Sequence, residues 1–186
     1  MTKYLTSESL ENLFSYHTSV YLHPDMYQFL DDGSYNEDMF FLIYTKLKRI
    51  LLDLLSEDDK VILLINKYPI NSKKRVDKIM HKCIKHVNKI KLSEQTCSYI
   101  EYGVTKVVHQ LKVETTCNNI KWKQLILSLI NQDFPDRKPQ FKIKNSFEMP
   151  EIYIISPTSD TMIHIYDDRG YDLYSHDKKR IEQLIK

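Results

Sequence analysis

Glycine is scarce in this 186-residue chain, with Gly33, Gly103 and Gly170 the only three. That scarcity excludes a glycine-rich phosphate loop or a dinucleotide-binding turn, because both need several glycines close together to bring backbone amides against a phosphate. Cysteine is equally sparse. Cys83, Cys97 and Cys117 make an odd count with no Cys-x-x-Cys pair, which suits reduced thiols filling a cytosolic core better than a disulfide framework. No apolar stretch reaches the length of a membrane span, and Met1 to Leu5 lack the basic start and apolar run of a secretory signal. The expectation is a cytoplasmic protein with no membrane partner. None of the seven histidines (17, 23, 81, 86, 109, 164 and 176) sits in a His-Glu-x-x-His pattern or at zinc spacing from a cysteine. No serine sits in a Gly-x-Ser-x-Gly elbow. The sequence therefore nominates no catalytic residue, no metal ligand set and no cofactor.

What is present is a folded-protein composition, 42% hydrophobic and 28% charged, with thirteen Tyr and seven Phe against one Trp. At this length the expectation is a single domain over 1–186, long enough to bury a core without disulfides or a structural metal. The net charge of +2 hides an asymmetry. Residues 1–38 carry seven acidic side chains against Lys3, whereas residues 67–91 carry nine basic ones against Asp77. Such a split favours a partner with a charge patch of its own.

The hydropathy pattern predicts an α+β fold, with a largely antiparallel sheet ending in a C-terminal β-hairpin and packed against several amphipathic helices. Ser7 to Phe14 reads as a short helix start. Ser34-Tyr35-Asn36-Glu37 has capping-box spacing, and Phe40, Phe41, Tyr44, Leu47, Ile50, Leu51 and Leu54 follow at helical period, which predicts a long helix over 36–55. Lys60 to Tyr68 is a β-branched apolar run closed by Pro69, and it reads as a buried strand. From Ser72, the residues Val76, Ile79, Met80, Cys83, Val87 and Ile90 share one helical face. Tyr99 to Thr116 predicts two strands around Gly103 or one bulged strand, and Asn118-Asn119 reads as the cap of a helix from Ile120 to Asn131. Glu151–Ser156 and Thr161–Tyr166 should pair through the turn Pro157 to Asp160. Asp167-Asp168-Arg169-Gly170 then turns into Tyr171 to Tyr174, and Asp177 caps a last helix.

Two polar groupings are candidate sites. Lys74, Lys78, Lys82, Lys85 and Lys89 fall on one side of the predicted helix that begins near Ser72. A solvated helix face explains them, and so does a surface for an acidic partner. A nucleic-acid backbone is less favoured, since no aromatic interleaves the stripe to stack on bases. The second grouping is His164, Tyr166, Asp167, Asp168, Arg169 and Asp172. Clustered carboxylates suit a hard cation and an arginine suits an anion, but Asp-Asp-Arg-Gly is also ordinary turn chemistry, with Gly170 expected at positive φ. Turn chemistry is the favoured reading, because this carboxylate spacing matches no recognised metal loop.

Leu111-Lys112-Val113 through Asn131-Gln132-Asp133-Phe134, followed by His164-Ile165-Tyr166-Asp167-Asp168-Arg169-Gly170-Tyr171-Asp172, resembles a family of proteins of unknown function from Bacillus-like Gram-positive bacteria. The resemblance implies a strand leading into a short helix and a hairpin ending in His-x-Tyr-Asp-Asp-Arg-Gly-x-Asp, and it brings no catalytic residues. By analogy it points to an immunity protein neutralising a bacterial toxin. The expected function is thus non-enzymatic binding of one protein partner. The alternative is a nucleic-acid-associated protein or small metal-dependent hydrolase using the His164 to Asp172 cluster.

Overall fold

In the computed structural model the described residues are 13–23, 25–67, 79–101, 104–141 and 149–185. Among them, seven strands form one fully antiparallel sheet in the order β1-β7-β6-β5-β2-β4-β3. The strands are β1 (Tyr16–Tyr21), β2 (Lys60–Lys67), β3 (Lys91–Glu101), β4 (Val104–Thr116), β5 (Glu151–Ser156), β6 (Thr161–Ile165) and β7 (Gly170–Ser175). Helices α1 (Glu37–Leu54), α2 (Trp122–Ile130) and α3 (Lys178–Leu184) accompany the sheet. The α+β class expected from the sequence is the fold observed.

The sheet's interior explains the sequence of β2. Flanked by β5 and β4, it alternates Val61, Leu63 and Ile65 into the main core with Leu111, Val113, Ile152, Ile154, Ile163 and Leu173. Leu64 lies in a second cluster with Tyr153, Met162 and Tyr174. A strand buried on both faces needs apolar residues at consecutive positions, which is why this run lacks alternation. α1 packs against α2, and α3 packs on β7 and β1.

Helix α1 begins where the sequence places it: the Asn36 side chain accepts a hydrogen bond from the Met39 amide at 3.2 Å. Leu47, Ile50, Leu51 and Leu54 are buried as expected, and Tyr44 is half-buried. Phe41 departs from expectation at 66% exposed, while neighbouring Phe40 is at 1%. At about 100° per residue Phe41 lies roughly 80° beyond the edge of the buried arc set by Met39, Ile43, Leu47 and Leu51, so it cannot reach the sheet.

Other expectations need correction. The helix predicted from Ser72 through Ile90 lies outside the described residues up to 78 and is helical over 79–83. It stops there because the backbone turns outward: Cys83 O accepts from Lys121 N at 2.7 Å and Lys85 N donates to Asn119 O at 2.8 Å. Val87–Lys89 is a separate 3-10 turn. Strand β3 starts at Lys91, well before Tyr99, and Glu101 pairs with Val104 in the two-stranded arrangement. Asn118 and Asn119 do not cap α2, whose N-terminal residue Lys121 makes no side-chain cap. Buried Asn119 instead accepts from His86 N at 2.9 Å and donates to Thr115 Oγ1 at 2.9 Å, stitching β4 to the 84–86 bend. The helix start expected at Ser7 to Phe14 lies outside the described residues through 12, and the chain beyond it enters β1.

Cys83 and Cys117 are free thiols in the core, and burial pushes Cys83 up to about 12. Among the described residues no helix is long and apolar enough to cross a membrane.

Candidate functional site

The end of strand pairing divides the polar grouping of residues 164–172 in two, His164 and Asp172 lying in paired strands and Asp167 to Arg169 in the turn between them. His164 and Asp172 are cross-strand partners on β6 and β7, and Ser19 on β1 faces Asp172 from its other side. Directly opposed side chains on one sheet face lie close enough to bond. Asp172 accepts from Ser19 Oγ at 2.7 Å and lies 3.7 Å from His17 Nε2 and 4.0 Å from His164 Nδ1. His164 stacks on Tyr153 with ring centroids 4.4 Å apart, and His17 stacks on Tyr174 at 4.5 Å. Burial lowers the His164 pKa, opposed by Glu151 and Asp172. In this row the Ser19 hydroxyl is bonded to Asp172 and both histidine rings are covered by tyrosines of the sheet.

The turn between β6 and β7 is a different environment. Asp167 accepts from the Arg169 amide at 2.7 Å and from Arg169 Nε at 2.7 Å, and a second guanidinium nitrogen of Arg169 reaches the same carboxylate. The turn expected from Asp-Asp-Arg-Gly is thus tied by its own first residue. Gly170 departs from the expected reason for its presence, since the left-handed glycine of the described residues is Gly33 at φ +80°. Gly170 is needed for space: a Cβ there would meet the Val20 carbonyl oxygen at 2.6 Å and the Tyr166 hydroxyl. Strand β1 runs against this position, with Tyr21 opposite Gly170.

Two distant segments grip the turn. Gln132, just after α2, donates through its side-chain amide to Tyr166 O, and Gln28 in the β1–α1 loop donates to Asp168 Oδ2 at 3.0 Å. Asp133 brings a third carboxylate, and single oxygens of Asp133, Asp167 and Asp168 all lie within 4.8 Å of one another. Asp167 and Asp168 are buried, at 3% and 4% exposed. Desolvation raises the Asp168 pKa, and desolvation followed by the field of Asp167 raises that of Asp133. Three carboxylates here face one guanidinium, so the site is short of positive charge.

Beside the turn, a cavity of about 240 Å³ is enclosed by the β1–α1 loop, α1 and the turn itself. Met26, Met39 and Ile43 supply its apolar wall, and Gln28, Asp168 and Arg169 supply a polar one. His23 also lines it, and its Nε2 is buried with no hydrogen-bond partner among the described residues. Burial and then the nearby Lys46 lower the His23 pKa. An open groove of about 560 Å³ adjoins along the same loop, lined by Tyr27, Phe29, Leu30, Asp25, Asp31 and Asp32.

The loop carrying these residues is held firmly. Phe29 and Tyr35 form a β-bridge, Leu30 N bonds Ser34 O at 2.8 Å, Asn36 N bonds Gln28 O at 2.9 Å and Asn36 Nδ2 bonds Tyr27 O at 3.1 Å. The rings of Phe29, Tyr35, Phe40 and Phe134 pack around its base. Arg137 lies 3.6 Å over the Phe40 ring and pairs with Glu37. Yet Tyr27 is 82% exposed, Tyr21 70% and Phe29 51%.

The lysine grouping is only partly within the described residues, since Lys74 and Lys78 lie outside them. Lys82 is half-buried with its ammonium 5.7 Å from the Phe141 ring centre. Lys85 donates to Asn118 O, and Lys89 is exposed in the 3-10 turn. Lys85 and Lys89 therefore do not share a helical face with Lys82, because the helix ends at Cys83.

Sequence comparison finds a family and a relative for the chain. Residues 4–186 match the family described as Domain of unknown function (DUF3885). The chain belongs to the DUF3885 family. A relative from Bacillus subtilis (strain 168), described as Uncharacterized protein YnaE, is 26% identical over 172 residues, covering 89% of this chain and 80% of that protein. No solved structure matches. This family member thus has the kind of relatives that its sequence resembles, and the functional reading rests on its own geometry.

Sequence reasoning marked Asp167, Asp168 and Arg169 but missed Gln28, His23 and Asp133. The acidic bias of residues 1–38 was the available signal for the loop.

Proposed function

We propose that this chain is a non-enzymatic protein-binding domain that engages one protein partner through the β1–α1 loop. The observation that supports the reading is the exposure of Tyr21, Tyr27, Phe29 and Leu30 on a tightly hydrogen-bonded loop, rimmed by Asp25, Asp31 and Asp32. Rigid aromatic side chains give large contact area at small ordering cost, and they are enriched at the energetic centres of interfaces. The acidic rim selects a basic partner surface. The lysines at 74, 78, 82, 85 and 89 give the chain a basic region of sequence away from the acidic loop, and that separation of charge would orient an approaching partner. The specific form, a cytosolic immunity protein neutralising a bacterial toxin, rests on the family resemblance alone.

A photo-crosslinking residue at Tyr27 tests the reading, with the same residue at exposed Leu92 on β3 as control. One protein should be captured in the native cell at Tyr27, not at Leu92, and its capture should be lost when Asp31 and Asp32 are replaced by Lys. Capture at both positions, or capture indifferent to charge reversal, would refute the assignment.

A second reading, a metal-dependent hydrolase, is favoured by the approach of the Asp133, Asp167 and Asp168 oxygens to one another. Against it, Arg169 already occupies Asp167.

A further inference from the structure

The cavity beside the turn has an unusual inventory of hydrogen-bonding groups. Its polar wall offers acceptors: the buried Asp168 carboxylate, whose side-chain partner is Gln28, and His23 Nε2, which is buried and unpartnered among the described residues. Arg169 lines the same wall, but its Nε and a terminal nitrogen are spent on Asp167. Opposite lie Met26, Met39 and Ile43, a wall of flexible and branched aliphatic side chains. Tyr21 and Tyr27 stand at the cavity, both largely exposed.

An occupant that satisfies this set must donate several hydrogen bonds, carry positive charge against the surplus carboxylates and have an aliphatic stem. An anion is excluded by Asp168 and by the neighbouring Asp133 and Asp167. A purely apolar group would leave His23 Nε2 desolvated without a partner, at a cost of about 1 to 3 kcal/mol, and would leave the Asp168 carboxylate with Gln28 as its side-chain donor. An ammonium is a compact, strongly hydrated charge, whereas a guanidinium spreads five donors in a plane and is more weakly hydrated. The latter can reach a carboxylate and a ring nitrogen together while its stem lies on methionine and isoleucine and its face meets a tyrosine ring.

We infer that this cavity is an arginine-binding pocket, which receives one arginine side chain from the protein partner docked on the β1–α1 loop. The inference rests on the protein-binding reading and names its central anchor. His23 offers Nε2 as the acceptor, and Asp168 supplies the charge. Tyr27 and the acidic rim of the groove hold the basic residues flanking that arginine.

The experiment uses the whole chain labelled with 13C at the methionine methyls and n-butylguanidinium as the probe, with n-butylammonium and butyrate alongside. Butylguanidinium should shift Met26 and Met39 saturably, butylammonium more weakly, and butyrate not at all. Asp168→Asn should weaken the probe at least about tenfold while leaving the methyl signals of distant Met162 in place, and His23→Phe should weaken it independently. Absence of saturable shifts, equal shifts from butyrate, or undiminished binding by Asp168→Asn would overturn the pocket. If crosslinking at Tyr27 identifies a charge-dependent partner while the cavity ignores butylguanidinium, this inference fails and the protein-binding reading stands. If the cavity binds the probe but no partner is captured at Tyr27, the docked arginine is refuted and the protein-binding reading fails with it.

Discussion

His164 and Asp172 on one side and Asp167 to Arg169 on the other are neighbours in sequence and unlike in surroundings. The strand pair lies on a sheet surface where Asp172 accepts from Ser19 and the rings of His17 and His164 stack on Tyr174 and Tyr153, so Asp172 works as a structural acceptor. The turn residues sit at the sheet's end, where loops from residues 28 and 132 converge and where carboxylates outnumber cations. A closed polar network fixes a fold, whereas an open one retains free energy for a ligand. The same nine residues, 164–172, therefore contain a strut and a site.

Gly170 joins the two, and its replacement should have the largest effect. Gly170→Ala would press a Cβ on the Val20 carbonyl and Tyr166, and β1 would have to part from β7. A loss of about 3 kcal/mol is expected from such overpacking, read as a fall in denaturation midpoint. An unchanged midpoint would show that β1 is held loosely.

Next in size is the contrast between two aspartates. Asp172→Ala removes the acceptor of the Ser19 hydroxyl and the carboxylate nearest His17 and His164, and should cost about 1 to 3 kcal/mol. Asp168→Asn keeps the shape and relieves a desolvated charge, so its melting midpoint should equal or exceed that of the wild type. If chemical denaturation ranks the two variants the other way, the division into strut and site is wrong.

The pH response should be smaller. The folded-state pKa of His164 lies below the unfolded value of 6.5 because burial disfavours the charged ring. The unfolded chain then binds more protons between those two values, so stability falls as pH drops below about 6.5 and is fully present above it. His23 has the same direction of shift and contributes in the same sense. His164→Phe keeps the stacking on Tyr153 and should flatten part of this dependence in melts between about pH 7 and pH 5. An equally steep dependence would assign the effect elsewhere.

The smallest expected effect is that of divalent cations. Because Arg169 already neutralises Asp167, Mg²⁺, Mn²⁺ or Ca²⁺ should leave the melting midpoint unchanged. A clear rise with one ion, absent in Asp133→Asn, would favour the metal-dependent alternative.

Elements whose burial is written in their own residues were legible in the sequence. β2, β5, β6 and the inner stripe of α1 are apolar where the core requires it, and the turns at Pro157 to Asp160 and Asp167 to Gly170 carry their own formers. β1 and the first half of β3 were not, because both are outer strands. Tyr16–Tyr21 is partly exposed and polar, and Lys91 to Ser98 is mostly polar, with Leu92 and Cys97 its only apolar residues. The lysine-bearing helix ends at Cys83 through backbone bonds to Asn119 and Lys121, and no local propensity announces a partner more than thirty positions away.

By itself the sequence determined the α+β class, the two C-terminal turns, the burial of Cys83 and Cys117 and the separation of acidic and basic segments, since each depends on local composition and period. Only the tertiary structure decided that His164 and Asp172 would be consumed by the sheet, and that His23, Gln28 and Asp168 would share one cavity. The reason is where strand pairing ends: β6 and β7 pair as far as Ile165 and Tyr171, so His164 and Asp172 face neighbouring strands while the turn beyond meets the loops. Which groups then remain unpaired depends on what residues far along the chain bring to each place.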